Sequence, residues 1–220
     1  MSGASSALPG RLPRQLVVLA RWPAPGRCKG RLARGIGAGA AARVQARLTA
    51  HTLAAVCAAR QRLPFELVLA VSPLGPRAAG RWARQLGLPR VVPQGPGDLG
   101  TRMQRQLVRA RREGARQVVL VGSDLPQLAA ADLLAAFAAL EQWPLALGPA
   151  ADGGYWLIGL RLEPGAGPAL GPAPLFSGIA WGTDQVLEQT RAAAGRWGLP
   201  LALLAERADL DRPADLRPWR

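Results

Sequence analysis

Gln117-Val118-Val119-Leu120-Val121-Gly122-Ser123-Asp124-Leu125-Pro126 reads as a buried strand that runs straight into a turn carrying one carboxylate. An apolar run without polar alternation marks a strand covered on both faces, the usual state of a parallel sheet. A helix follows from about Ala129 to Glu141. Toward the N-terminus, Leu16–Ala20, Glu66–Val71 and the short Val91-Val92 have the same strand character. Between them, apolar residues at helical spacing predict helices over about residues 40–60, 77–86 and 99–113. Thr101 is the expected N-cap of the last of these, and Gly114 its stop. Beyond the opening stretch come strands over Leu145–Gly148 and Tyr155–Leu160, a Pro/Gly-rich surface loop over 163–174, a helix capped by Thr183 and running to about Trp197, and a last strand, Leu201–Leu204. Strands alternating with helices predict an α/β fold: a mostly parallel central sheet with helices on both faces.

The chain has 220 residues, 49% of them hydrophobic, enough for one core. Residues 1–14 are expected to be a flexible N-terminal tail without the apolar core of a signal peptide, and 15–220 a single domain. No run approaches the ~18 apolar residues of a membrane helix. Cys28 and Cys57 lack metal-ligand spacing and fit free thiols in the cytoplasm. The net charge of +14 raises nucleic-acid binding as an alternative of another class. However, arginines occur in every predicted helix, and no aromatic-interleaved binding motif accompanies them, so nucleic acid is not the expected partner. Arg102, Arg105, Arg109 and Arg112 share one helix face; all but Arg102 read as solvated.

In such sheets ligands bind beyond the carboxyl ends of the strands. That rule selects the loops Arg21–Arg31, Gly122–Pro126 and Ala150–Gly154. In the first, Gly26 and Gly30 permit close backbone approach to a phosphate, and Lys29 and Arg31 add charge. Lys29 is the only lysine in the chain. Asp124 either ligates Mg²⁺ or Mn²⁺, or caps the next helix, a role open to Ser123 too. Asp152-Gly153-Gly154 is either a hairpin turn or a ligand-facing loop. Asp209 and Asp211, two apart on extended backbone, would point the same way and offer a second metal carboxylate. Gly35-Ile36-Gly37-Ala38-Gly39 lies too far from its strand for a dinucleotide fingerprint and reads as a flexible lead into a helix. There is no Gly-x-Ser-x-Gly elbow, no His-Glu-x-x-His and no P-loop. His51 is the lone histidine, so a triad is not the expected chemistry. Cys28 beside Arg27 and Lys29 has a setting that would favour its thiolate, but no partner base.

Together, residues 20–33, Gly97–Met103, Gly122–Pro126, Gly148–Leu160, Trp181–Asp184 and Asp209–Pro213 resemble a bacterial family of GT-A-fold glycosyltransferase-like proteins of the arsenosugar-biosynthesis type. The chain is similar, more distantly, to molybdenum-cofactor and 2-phospholactate guanylyltransferases. It departs from the pattern at Cys28, Gly30 and Thr101, where a small aliphatic residue, Thr and Glu are usual. The resemblance implies a GT-A fold, with Pro25, Gly26, Lys29, Arg31 and Arg102 around the nucleotide and Mg²⁺ or Mn²⁺ on Asp124 and Asp211. It places Asp152, Gly153, Gly154 and Trp181 on the acceptor side, with Asp124, Lys29 and Asp152 as the catalytic set. The function it implies is transfer of a sugar from a nucleotide-diphosphate sugar to a small-molecule acceptor. Nucleotidyl transfer from a nucleoside triphosphate, with release of pyrophosphate, is the alternative.

Overall fold

The computed structural model describes residues 13–162 and 174–219. The expected tail therefore lies outside the described residues apart from its last two, and so does all of the 163–174 loop but Pro174. Seven strands form one sheet: β1 (Arg14–Arg21), β2 (Glu66–Ser72), β3 (Val91–Pro93), β4 (Gln117–Gly122), β5 (Leu145–Pro149), β6 (Tyr155–Arg161) and β7 (Leu201–Leu203). Their order is β3-β2-β1-β4-β6-β5-β7, and every pairing is parallel except those of β6, which runs antiparallel to β4 and β5.

Strand periodicity sorts the core into two layers. From β1, Leu16, Val18 and Ala20 pack with Leu53, Val56, Ala79, Trp82, Leu133 and Phe137 of helices α2 (Ala38–Arg62), α3 (Pro76–Gln85) and α5 (Ala130–Gln142). Val17 points the other way and joins Met103, Leu107 and Ala110 of α4 (Leu99–Arg112) and Ala193 and Ala194 of α6 (Val186–Arg196). The predicted architecture is therefore the observed one. Among the described residues no helix is long and apolar enough to cross a membrane.

Local chemistry moves several boundaries. The expected loop to Gly39 contains a short helix, α1 (Gly30–Ile36), and Gly37 at φ 83° breaks it from α2. Asp98, not Thr101, caps α4: its side chain accepts the Thr101 amide at 2.8 Å, satisfying a donor that the helix start leaves free. Thr183 does not cap α6, which starts at Val186; its hydroxyl donates to the Ala180 carbonyl at 2.8 Å in the preceding turn. Arg105 and Arg109 are not simply solvated. Arg105 bonds the carbonyls of Gln94 and Pro96, and Arg109 donates to the Gln15 side-chain oxygen at 3.2 Å, so these forks tie α4 to the sheet.

The β5–β6 hairpin is pinned to the entry of α6 through Gly153. Its φ is 86°, and a Cβ there would lie 2.0 Å from the Asp184 carbonyl oxygen. Gly153→Ala is expected to cost about 2–3 kcal/mol from left-handed strain plus the backbone collision, lowering Tm by several degrees. An unchanged melting curve would remove Gly153 as a packing constraint.

Candidate functional site

Three segments far apart in sequence meet beyond the carboxyl ends of β1 and β4, joined by Lys29. The β1–α1 loop leaves the sheet at Arg21 and turns tightly at Ala24–Arg27, where the Arg27 amide donates to the Ala24 carbonyl at 3.0 Å. Pro25 and Gly26 occupy the corner, and Gly26 has φ 74°, the pairing a type II turn requires. Both are exposed, and space beside Gly26 and Gly30 is open. Lys29 then takes a left-handed conformation, φ 49° and ψ 49°, the only non-glycine residue with positive φ among the described residues. That conformation turns its side chain inward, leaving it 4% exposed.

The ammonium donates to the Leu210 carbonyl at 2.6 Å and lies 2.9 Å from Asp124 Oδ1. The Leu210 amide in turn donates to the Asp124 carbonyl at 3.1 Å. Asp124 thus stands two residues past β4 with its backbone and one carboxylate oxygen fixed, while 46% of its side chain faces solvent. Its Oδ1 has no aligned hydrogen bond, so the Lys29 contact is an ion pair defined by distance. Neither Ser123 nor Asp124 caps α5. That helix starts at Ala130, and the Ala129 amide is bound by Asp132, which removes the capping alternative for both.

Asp209 and Asp211 flank buried Leu210. Arg31 reaches Asp211 at 3.1 Å, and a Cβ on Gly35 would lie 2.3 Å from the Pro213 ring, so α1 and the segment after β7 are in close contact. Burial first, then the Asp152, Asp124 and Asp211 carboxylates, hold the Asp209 carboxyl above its ordinary value, while Lys29 pulls it down. The Asp209 carboxyl thus feels three neighbouring carboxylates as well as the one buried cation, a local concentration of acid on a basic protein. Asp152 comes from the β5–β6 hairpin tip, where it accepts the Gly154 amide at 3.0 Å. The hairpin and ligand-facing readings of this turn are therefore compatible for Asp152, whereas Gly153 faces Asp184.

Arg102 and Trp181 form a second group, around the start of α4. Arg102 donates to the Gly97 carbonyl at 2.9 Å and approaches the Ser72 hydroxyl at 3.4 Å at the end of β2. Trp181 lies over Gly100, where a Cβ would meet its ring at 2.5 Å, and makes an edge contact with Tyr155. Cys28 departs from expectation. Its thiol is buried against the Ala24 carbonyl, and burial pushes its pKa up despite Arg21 and Lys29, so it is a packing residue rather than a thiolate.

The donor set around Asp124 is all hard oxygen, the chemistry that Mg²⁺ and Mn²⁺ favour. Among the described residues no three Asp, Glu, His or Cys groups converge closely enough to cage an ion. A site of one or two carboxylates completed by substrate phosphates and water is the usual Mg²⁺ arrangement and fits what is present.

The chain is a transferase of the glycosyl- or nucleotidyl-transfer type, as its relatives show. The chain belongs to a family described as an uncharacterized protein conserved in bacteria (DUF2064), whose profile matches residues 52–183. It is 36% identical over 172 residues to a phosphoenolpyruvate guanylyltransferase of Geodermatophilus obscurus, covering 78% of this chain and 72% of the relative. A protein of Desulfovibrio desulfuricans G20 described as a nucleotide-diphospho-sugar transferase superposes with a TM-score of 0.78 at 29% identity, over 93% of this chain and 84% of the other. Glucosyl-3-phosphoglycerate synthase of Mycobacterium tuberculosis, in complex with Mn²⁺, UDP and glucosyl-3-phosphoglycerate, shares the fold at TM-score 0.54 and 16% identity, over 94% of this chain and 74% of that one. The expected likeness to GT-A-type nucleotide-dependent transferases and to guanylyltransferases is borne out, though at 36% identity the guanylyltransferase is a nearer relative than the distant similarity expected from the sequence.

Because the folded Asp209 carboxyl binds its proton more tightly than the unfolded one, its contribution to stability declines as pH rises from the ordinary value of 3.8. Asp209→Asn is therefore expected to raise Tm at pH 7, with the gain vanishing as pH falls to about 4. A gain independent of pH, or a loss at pH 7, would show that burial and the neighbouring carboxylates do not raise the Asp209 carboxyl.

Proposed function

We propose that this protein is a cytoplasmic, divalent-metal-dependent transferase that moves a sugar from a nucleotide-diphosphate sugar to a small acceptor. The observation that carries the reading is Asp124, half-exposed at the end of the central strand, held there by Lys29 and by the Leu210 amide between Asp209 and Asp211. Asp124 and Asp211 would hold Mg²⁺ or Mn²⁺. When bound, such a cation neutralises the charge that develops on the leaving diphosphate. The exposed Pro25-Gly26 turn lets backbone approach the phosphates, and Arg31 supplies a fork for them alongside its Asp211 pair. Arg102, fixed at the ends of β2 and the Gly97 loop, extends that positive wall. Lys29 acts through Asp124 rather than by touching substrate, since both of its contacts are internal. Asp152, exposed on the hairpin tip, takes the proton of the acceptor hydroxyl, and the same reading assigns Gly154 and Trp181 to the acceptor. The Mn²⁺ and UDP bound by glucosyl-3-phosphoglycerate synthase accord with this use of the fold.

A second reading, nucleotidyl transfer from a nucleoside triphosphate, is favoured by the 36%-identical guanylyltransferase. It would use the same loop and acids, and differs in releasing pyrophosphate.

Nucleotide-diphosphate sugars and triphosphates of each base should be screened by thermal unfolding with and without Mn²⁺. A ligand at ~100 times its Kd adds about 2.7 kcal/mol of stability. A metal-dependent shift from one nucleotide sugar, absent in Asp124→Ala, is expected, together with a fall in transfer rate of roughly a thousandfold or more. A shift from triphosphates alone, with pyrophosphate released, would move the assignment to nucleotidyl transfer. Full activity in Asp124→Ala would end both.

A further inference from the structure

The buried face of α2 carries a polar stripe at helical spacing, Gln45, Thr49 and Thr52, among Ala41, Ala42, Leu48 and Leu53. Burying a carboxamide is costly unless it is hydrogen-bonded, and Gln45 is only 2% exposed. Its Nε2 donates to the Ser123 hydroxyl at 3.2 Å and approaches the Ser123 carbonyl at 3.5 Å, with the Thr49 hydroxyl at 3.4 Å. The Thr49 hydroxyl bonds back to the Gln45 carbonyl at 2.9 Å, which holds this turn of the stripe together. Ser123 is itself 2% exposed and immediately precedes Asp124.

We infer that Gln45 is a positioning residue for Asp124, an inference that rests on the metal-site reading above. Asp124 is gripped from three directions. Leu210 holds its carbonyl, Lys29 its carboxylate, and Gln45 fixes the residue on its N-terminal side. Lys29 and Leu210 belong to the segments that form the pocket, whereas Gln45 reaches in from the long helix packed beneath it. A donor on that rigid helix sets the direction in which the half-exposed carboxylate leaves the strand end. Outer partners of this kind typically change metal affinity by 10–100-fold when removed.

The test uses Mn²⁺ alone as the probe, titrated into the full-length protein and followed by the electron paramagnetic resonance of the free ion. Gln45→Leu keeps most of the volume and deletes the donor. Ser123→Ala deletes the acceptor of the shorter bond and is the milder change should Gln45→Leu fold poorly. Both are expected to weaken Mn²⁺ binding, Gln45→Leu by about tenfold or more, with Tm within a few degrees of wild type. The double variant Gln45→Leu/Ser123→Ala pairs the two deletions. Under positioning, it stays weak for Mn²⁺ while recovering any lost Tm. Unchanged affinity in both single variants overturns the inference, as does a double variant that regains Mn²⁺ affinity along with Tm, because Gln45 would then merely satisfy a buried hydroxyl. Failure of the wild type to bind Mn²⁺ both alone and with a nucleoside diphosphate present would overturn the metal site and the inference with it. Binding lost in Asp124→Asn but untouched in Gln45→Leu and Ser123→Ala would keep the site and discard Gln45.

Discussion

The buried ammonium of Lys29 is the contact on which the pocket depends. A charge removed from water must find close partners, and this one has two: the Leu210 carbonyl at 2.6 Å and Asp124 Oδ1 at 2.9 Å. Those partners belong to segments distant from Lys29 in sequence, Leu210 by 181 residues. Satisfying one lysine therefore draws the β1–α1 loop, the end of β4 and the segment after β7 into one place. The left-handed backbone at Lys29 is the local strain that accompanies this arrangement. A compact ammonium suits the role better than a planar guanidinium, which would demand more acceptors than the pocket provides. In a chain with 28 basic residues and a single lysine, the lysine sits where a point charge is needed.

The electrostatics of the pocket follow from the same contact. Lys29 pairs with Asp124 and Arg31 with Asp211, yet burial first, and then the Asp152, Asp124 and Asp211 carboxylates, still raise the Asp209 carboxyl. A basic exterior attracts anionic substrate, while an acidic pocket repels it unless a cation intervenes. This opposition is the physical case for a metal between protein and phosphate.

Much of the architecture was legible in the amino-acid order because both faces of the sheet are covered. Apolar runs such as Val118–Val121 announce buried strands, and helical spacing marks α2, α4 and α5. Asp124, Lys29 and Arg31 could be selected because the strand-end rule names their loops in advance. Other features depend on tertiary partners and leave little local trace. Asp98 displaced Thr101 as a cap because the loop before α4 presents its carboxylate to the helix amides. The inward turn of Lys29 depends on Leu210, far along the chain, and reading Lys29 as a phosphate ligand missed that dependence. Cys28 was misjudged from its charged neighbours because its burial is set by tertiary packing. Gln45 had one sequence signal, a carboxamide interrupting an apolar stripe, whose meaning appears only when Ser123 is seen beneath it.

The central claim is that a divalent cation sits on Asp124, and crystals grown with Mn²⁺ and a nucleoside diphosphate test it most directly. Anomalous scattering recorded at the manganese edge should show one peak within coordination distance of the Asp124 carboxylate, on the side away from Lys29 and shared with phosphate oxygens. A peak elsewhere with nucleotide bound, or nucleotide bound beside Asp124 with no manganese, would contradict the account.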